Sequence, residues 1–298
     1  GGNSLLPTLQ ARPADDEISA EAGAAISPMP AADSLNTSPV VSAAGQMSLL
    51  LEPQPSPAWH RFTRGALAGN FLHDQLEWLA MEHFALDEGT ANADRLHRRC
   101  ERAGRAEQAD DVVQWLSRVT RTPLGGVGAG LRELHHVLPE MEFWLPAGRL
   151  QAAEVDALCR THLLPGVERP SLPERELHGM LMGFADLVFE HGGRYWVLDY
   201  KSNHLGNDGE AYHARALTEA MAEHRYDVQA ALYMLALHRL LRHRLGAAYA
   251  PRTHLGGAVY LFLRGIDGPE QGSHVLPPCL ELLAALDAML ASPEEPAI

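Results

Sequence analysis

The sequence predicts an α/β protein in which helices flank a small mixed β-sheet, and three observations support this. Residues 66–81 lack proline and carry apolar side chains at helical spacing. Residues 183–200 contain two β-prone apolar runs that form a hairpin signal. Residues 210–245 are a second long stretch without proline and with helical patterning. Helices and strands interleaved in this way indicate an α/β or α+β domain.

The other elements follow from the same rules. The hairpin strands are predicted over 183–189 and 194–200, joined by Glu190-His191-Gly192-Gly193. A short strand over 140–145 is expected to end at Pro146, and another strand is expected over 257–263 between two glycines. Further helices are predicted over residues 110–119, 152–162 and 279–290.

Residues 1–57 have a different composition from the remainder. They contain no aromatic residue, hold eight of the 20 prolines and carry a net charge of −5. Such a segment cannot bury a core, so we expect a low-complexity flexible linker followed by a folded domain over residues 58–298. The chain begins with Gly1 rather than Met. We therefore expect it to be a fragment of a longer protein.

Composition excludes several classes of protein. Of the 24 basic residues only one, Lys201, is a lysine, and it follows Leu198-Asp199-Tyr200, so a Walker A phosphate loop is excluded. Three scattered cysteines form neither a zinc pair nor a disulfide framework, which favours a reducing cytoplasm. The sequence has no apolar run of about 18 residues, so no membrane span is predicted. The net charge of −14 argues weakly against a nucleic-acid partner.

The end of the hairpin carries a candidate reaction centre. Because strand side chains alternate, Asp199 and Lys201 share one face, and Asp186 lies on the paired strand. Buried acids need compensation, and Mg²⁺ bound to carboxylate oxygens would supply it. The metal and the ammonium group would together stabilise the transition state of phosphodiester hydrolysis. An isolated Asp-x-Lys is more commonly a solvated ion pair, and that interpretation stays open here.

One face of the long predicted helix carries Tyr226, Gln229 and Tyr233, spaced as i, i+3 and i+7. Beside such a sheet these side chains could contact a DNA backbone. The alternative is that they form a half-buried amphipathic seam.

These motifs resemble a known set. Gly183-Phe-Ala-Asp186-Leu-Val-Phe, Leu198-Asp199-Tyr200-Lys201-Ser202-Asn203 and Gln229-x-x-x-Tyr233 are similar to the motifs of RecB-type nucleases in the PD-(D/E)xK superfamily. The stretches His224-Arg-Tyr-Asp-Val-Gln and Gly256-Gly-Ala-Val-Tyr-Leu-Phe-Leu-Arg-Gly extend the resemblance over residues 59–290. It implies a restriction-endonuclease-like core and a deoxyribonuclease of the exodeoxyribonuclease V type.

The resemblance also implies roles for individual residues. Asp186 and Asp199 match the metal-binding acids, and the backbone carbonyl of Tyr200 is a further candidate ligand. Lys201 matches the catalytic lysine, and His73, within Gly69-Asn-Phe-Leu-His73, matches a metal-binding histidine. The remaining matches are Gln229 and Tyr233 in the Gln-x-x-x-Tyr element and an upstream glutamate, either Glu140 or Glu142, with Glu140 slightly favoured.

Cofactors and partners are implied in the same way. We expect one or two Mg²⁺ ions and no iron–sulphur cluster, because three scattered cysteines cannot supply four ligands. The expected partners are DNA, mainly single-stranded, the subunits RecC and RecD, the recombinase RecA and an upstream helicase part, in the bacterial cytoplasm. Two alternatives remain: a protein-interaction module for RecA loading and Chi-dependent regulation, or another nuclease of the superfamily, such as the AddA type.

Overall fold

The structure, a computed structural model, describes residues 56–290. The predicted linker over residues 1–57 lies almost entirely outside this range. Short 3₁₀ turns connect several elements. The helices and strands are α1 Ala58–Arg61, α2 Ala66–Met81, α3 Ala91–Arg102, α4 Ala109–Arg121, β1 His136–Gln151, α5 Ala152–His162, β2 Glu176–His191, β3 Arg194–Lys201, α6 Ala214–Glu223, α7 Tyr226–Leu245, α8 Pro251–His254, β4 Leu255–Phe262, β5 Ser273–Leu276 and α9 Leu280–Met289.

The described strands form one mixed sheet in the order β1-β2-β3-β4-β5, which confirms the predicted fold class. Neighbouring strands are antiparallel except β3 and β4, which are parallel. A parallel pair needs a long crossover, and α6 and α7 lie in the connection between these two strands. This crossover brings α7 against β3 and β4, beside the predicted reaction centre.

Two apolar cores lie on opposite faces of the sheet. Helices α1 to α4 pack on one face, and α5, α7 and α9 pack on the other. In β3, Trp196 and Leu198 join the first core, whereas Val197 joins the second. Continued alternation directs Asp199 and Lys201 toward α7. These two side chains of β3 therefore face the second core.

Several predicted elements are confirmed. Helices α2 and α5 have the predicted bounds, and the hairpin turns between β2 and β3 as expected. Pro146 does not end β1, which continues to Gln151. Because β1 is an edge strand in the described sheet, it can accommodate a residue without an N–H group.

The single helix predicted over residues 210–245 is wrong. A 3₁₀ turn over Gly209–Tyr212 precedes α6, and Arg225 separates α6 from α7 with a left-handed φ of 54°. Ion pairs with the buried carboxylates of Asp156 and Asp227 hold the Arg225 guanidinium in this place. Local patterning does not reveal this break, because its cause is a contact with α5 far away in the chain.

The sequence patterns also missed α3 and β5. In α3 the buried stripe consists only of Ala93, Leu96 and Cys100, and the other positions are mostly charged. Its start is marked by Thr90, whose side chain accepts a hydrogen bond from the Ala93 N–H at 3.4 Å. Within the described residues, no helix is both long enough and apolar enough to cross a membrane.

Candidate functional site

Strands β2 and β3 separate where the two predicted aspartates stand. The last paired residues are Leu187 and Leu198, and the next position on each strand carries Asp186 and Asp199. Beyond this pair the strands do not continue their backbone hydrogen bonds. Asp186 Oδ2 accepts a hydrogen bond from the Tyr200 N–H at 2.8 Å instead. The carboxylate thus takes over a donor that the ladder would otherwise use. Both acids are held at the fork of the two strands.

Lys201 is buried beside Asp199, on the side of the site that we call the lysine side. Its Nζ lies 2.6 Å from Asp199 Oδ2 and donates to Gln229 Oε1 at 3.2 Å. The same nitrogen stands 3.8 Å from the centre of the Tyr226 ring, which is a close cation–π contact. Only 4% of Lys201 is exposed. The single lysine of the chain is therefore a fixed internal charge and not a solvated surface residue.

Burial and pairing set the charge state of this side. Burial raises the pKa of Asp199 to about 6, the Asp186 charge adds to that rise, and Lys201 opposes it. Burial lowers the pKa of Lys201, but the Asp199 carboxylate outweighs this and raises it above the ordinary value. Lys201 therefore remains protonated at neutral pH.

His73 stands against Asp186 on the other side, which we call the histidine side. Its Nδ1 lies 3.3 Å from Asp186 Oδ2, and its ring meets the Tyr200 ring edge to face. Burial lowers the pKa of His73, but the Asp186 carboxylate reverses this and raises it to about 9. The imidazolium holds the pKa of Asp186 below its usual value despite burial. The His73 side chain is 24% exposed, so this side is reached by solvent.

The two upstream glutamates occupy different surroundings. Glu140 lies between Pro139 and Met141, which pair with the two neighbours of Asp186 in β2, and its charge contributes to the raised pKa of Tyr200. It adopts a left-handed φ of 47°. Glu142 lies opposite Phe184 and accepts a hydrogen bond from Trp144 Nε1 at 2.9 Å. The structure thus brings Glu140 to the acids and leaves Glu142 on the exposed ribbon.

The predicted DNA-contact face of α7 instead surrounds Lys201. Tyr226 and Tyr233 are each 3% exposed, and Gln229 Nε2 donates to the Tyr233 hydroxyl at 2.8 Å. This burial favours support of Lys201 over the predicted direct contact with DNA. The sequence analysis missed Tyr260, whose hydroxyl lies 3.1 Å from Gln229 Oε1. Its only sequence signal was its place in an apolar strand, and the β3–β4 register sets it opposite Asp199.

Arg264 is a second residue that the sequence analysis missed. It is 1% exposed and donates from Nε to the Ser202 carbonyl at 3.0 Å, one residue beyond Lys201. Its Nη1 donates to the Trp59 carbonyl at 2.6 Å. The end of β3 is thereby tied to α1.

The donor set fits a divalent cation, although the donors do not yet converge. Within residues 56–290, no group of three or more His, Cys, Asp or Glu side chains is already arranged around an ion position. The reason is internal pairing, since His73 and the Tyr200 N–H engage Asp186, and Lys201 engages Asp199. Two adjacent buried carboxylates raise each other's energy, and a hard cation would relieve this. The Tyr200 carbonyl stays a predicted ligand.

Comparison with known proteins identifies the class. The profile of the PD-(D/E)XK nuclease superfamily matches residues 51–292, and the chain belongs to this superfamily. The most similar relatives that we compared carry the name RecBCD enzyme subunit RecB. The Escherichia coli K12 protein is 42% identical over 257 residues, which are 84% of this chain and 21% of that protein.

Other relatives agree with this assignment. The RecB subunit of Haemophilus influenzae is 36% identical over 188 residues, covering 60% of this chain and 15% of its own length. That of Mycobacterium tuberculosis H37Rv is 38% identical over 187 residues, covering 55% and 17% respectively. The chain thus spans about one fifth of the length of these relatives.

Proposed function

We propose that the chain contains, over residues 58–298, the Mg²⁺-dependent deoxyribonuclease domain of a RecBCD-type helicase–nuclease, which hydrolyses DNA phosphodiester bonds during double-strand break repair and recombination. The observation that carries the proposal is the meeting of Asp186, Asp199 and the only lysine at one strand fork, in a member of a nuclease superfamily. PD-(D/E)XK nucleases are metal-dependent, which agrees with the carboxylate pair.

In this proposal Asp186 and Asp199 hold the metal, with His73 and the Tyr200 carbonyl as further ligands and Glu140 beside them. One or two Mg²⁺ ions, when bound, would polarise the phosphate and lower the pKa of a bound water. As a ligand His73 would have to be neutral, so it would have to give up the proton that now pairs it with Asp186. The protein contributes buried carboxylates at a strand fork, and solvent reaches them from the histidine side.

Lys201 supplies positive charge where the phosphate becomes more negative in the transition state. Its Nζ is already fixed by Asp199, Gln229 and the Tyr226 ring, so no reorganisation is needed when that charge develops. Its raised pKa keeps the ammonium group charged. We therefore assign it electrostatic stabilisation and not the role of a general base.

The proposed partners follow from the relatives. We infer that DNA, mainly single-stranded, is delivered by a helicase part upstream of this domain, with RecC and RecD in the same enzyme and RecA as a downstream partner. Delivery by a motor supplies a high local concentration, which offsets the acidic charge of this chain. The isolated chain should therefore bind DNA weakly and cut it more slowly than the complete enzyme.

A docking role alone, for RecA loading or Chi-dependent regulation, is favoured less. A docking surface has no need for a lysine and two carboxylates buried at a strand fork, and burying them is costly. Both roles can coexist in one domain. The resemblance of residues 224–229 and 256–265 favours the RecB type over an AddA-type nuclease.

Digestion of single-stranded DNA with Mg²⁺, comparing the wild-type chain with Asp199→Ala, tests the proposal. We expect activity to be lost on substitution and on addition of EDTA. Asp199→Asn should lose activity as well while keeping the shape of the side chain, which separates chemistry from folding. Full activity of Asp199→Ala would refute the site assignment.

A further inference from the structure

The outer part of the β1–β2 ribbon exposes a strip of apolar side chains. Trp144 is 54% exposed, Met180 46% and Phe184 38%, and all three are among the large exposed apolar residues. In the register, Trp144 lies opposite Met182 and Glu142 lies opposite Phe184, so these side chains are neighbours across the two strands. We call the following set the ribbon strip: Trp144, Pro146, Met180, Met182 and Phe184.

The ribbon strip lies on the α2 face of the ribbon, because the other face is packed. The ring of Phe143 fills the place of a side chain at Gly183, where a Cβ would come within 2.4 Å of the ring. Leu145 and Ala185 are buried in the core that contains α7. The residues between these positions therefore point the opposite way, toward the face covered further along by α2.

The ribbon strip leads into the exposed half of the site. Phe184 precedes Asp186 by two residues on β2, and Trp144 follows Glu140 by four residues on β1. The separation of four residues corresponds to about 13 Å of strand at about 3.3 Å per residue. That length accommodates about four stacked nucleotides at roughly 3.4 Å each. Asp186 contacts His73 of α2, so the site is approached from the same side.

The charges around the ribbon strip decide which part of a nucleic acid can lie on it. Glu140 and Glu142 stand beside it and would repel phosphates. Bases are uncharged and stack favourably on exposed aromatic rings, with little dependence on sequence. In a duplex the base faces are already stacked on one another, so only an unpaired strand offers them. An aromatic surface thus binds the bases of a single strand beside acidic residues that would repel its phosphates.

We propose that Trp144 and Phe184 form a base-stacking platform that holds an unpaired DNA strand leading to Asp186 and selects it over duplex DNA. The platform rests on the proposed nuclease function and adds the residues that choose the substrate. The bases lie on the rings, and the strand continues along the ribbon toward Asp186. Both aromatic residues touch substrate without taking part in bond cleavage.

Binding without metal tests the platform independently of cleavage. Fluorescence anisotropy of the full chain in EDTA would compare an oligothymidylate of about 12 nucleotides with a blunt duplex of the same length. Trp144→Ala and Phe184→Ala should each raise the single-strand Kd about 5- to 150-fold and leave duplex binding unchanged. Trp144→Phe should retain most of the affinity, whereas Trp144→Leu should behave like Trp144→Ala.

Leu138→Ala is the matched control. Leu138 is 48% exposed on the same strand but lines the cavity on the α7 side of β1, so its loss should change the Kd by less than about twofold. Equal losses for Leu138→Ala and Trp144→Ala, wild-type binding by Trp144→Ala, or wild-type binding by Trp144→Leu would each overturn the platform. The last result would indicate general apolar contact, as in docking of a protein.

Cleavage assays separate the two proposals. With Mg²⁺, Trp144→Ala should raise KM for the oligonucleotide with little change in kcat, and hydrolysis of bis(p-nitrophenyl) phosphate, which is too small to reach the platform, should be unchanged. If the wild-type chain cleaves neither substrate, the nuclease proposal fails. The metal-free binding result would still decide whether the platform exists.

Discussion

Asp199 and Asp186 stand side by side at the fork of β2 and β3, yet their surroundings differ in burial and in counter-charge. Asp199 is paired with Lys201, which is as deeply buried as its partner, and side chains of α7 and β4 enclose that pair. Asp186 is paired with His73, and both are more exposed than the lysine pair. The counter-charge is permanent on the lysine side, whereas on the histidine side it is a proton that can leave.

This difference indicates how the site works. A fixed ammonium in a buried place stabilises charge that develops during reaction, and it costs no reorganisation. In the proposed function, His73 would exchange its proton for a metal, which suits the more exposed side of the site. Substitutions on the lysine side should therefore reduce kcat, and those on the histidine side should mainly weaken metal or substrate binding.

Lys201→Arg should have the largest effect. The guanidinium is larger and planar, and the space between Asp199 and the Tyr226 ring is shaped for one nitrogen. We expect kcat on single-stranded DNA to fall about 100- to 1000-fold. Overpacking should also lower the free energy of unfolding by about 1–3 kcal/mol. Arg244→Lys, on the exposed end of α7, is the control and should change neither quantity. If Lys201→Arg keeps activity within about tenfold of wild type, the proposal of a specific role for Lys201 is wrong.

His73→Ala should have the next largest effect, and of a different kind. We expect the Mg²⁺ concentration for half-maximal activity to rise about 10- to 100-fold, with kcat largely restored at high Mg²⁺. A titration of rate against Mg²⁺ measures this. If saturating metal leaves kcat as low as in Lys201→Arg, the distinction between the two sides of the site is wrong.

Glu140→Gln and Glu142→Gln form a matched pair that decides between the two glutamates. The neighbours of Glu140 in β1 pair with the neighbours of Asp186 in β2, so loss of the Glu140 charge should reduce activity about tenfold. Glu142 lies opposite Phe184, so its substitution should reduce activity less than about twofold. Steady-state rates at equal Mg²⁺ test both. If Glu142→Gln reduces activity more than Glu140→Gln does, then Glu142 on the exposed ribbon is the glutamate that takes part in the site.

Tyr260→Phe should have a smaller effect than Glu140→Gln. It removes one hydroxyl, 3.1 Å from Gln229 Oε1 and 3.1 Å from the Tyr226 carbonyl, from the support of Lys201. A hydrogen bond of about 1 kcal/mol predicts a loss of about fivefold in kcat with unchanged KM. Tyr195→Phe, near the opposite end of β3 from Lys201, is the control. A change in KM instead would show that Tyr260 acts on substrate binding.

The confirmed and the wrong predictions have a common explanation. The bounds of α2 and α5 and the β2–β3 hairpin follow from local periodicity and turn residues, and the structure confirms them. The break at Arg225 depends on carboxylates of other elements, and the continuation through Pro146 depends on β1 being an edge strand. Neither cause can be read from a local window of sequence.

The side chains of β1 do not alternate strictly between the two faces of the sheet, for a related reason. Val137 packs on the α1–α4 side, whereas Met141, also an odd position of β1, lies in the core with α7. The left-handed conformation of Glu140 lies between them. Ala185 and Leu187 of β2 show the same change of face around Asp186. Glu140 and Asp186 therefore lie where the alternation of side chains between the two sheet faces is interrupted. No periodicity rule predicts this interruption.

The sequence by itself determined the class of protein and the chemistry available to it. The single lysine two residues after an aspartate, the second aspartate on the paired strand and the RecB-type motifs are all local patterns, and strand geometry makes such spacing informative. Only the tertiary structure decided which groups surround them. His73 meets Asp186, Tyr260 comes opposite Asp199, and Trp144 becomes an exposed neighbour of the site. Strand register and helix packing set these contacts between residues far apart in the chain, and burial then sets their charge.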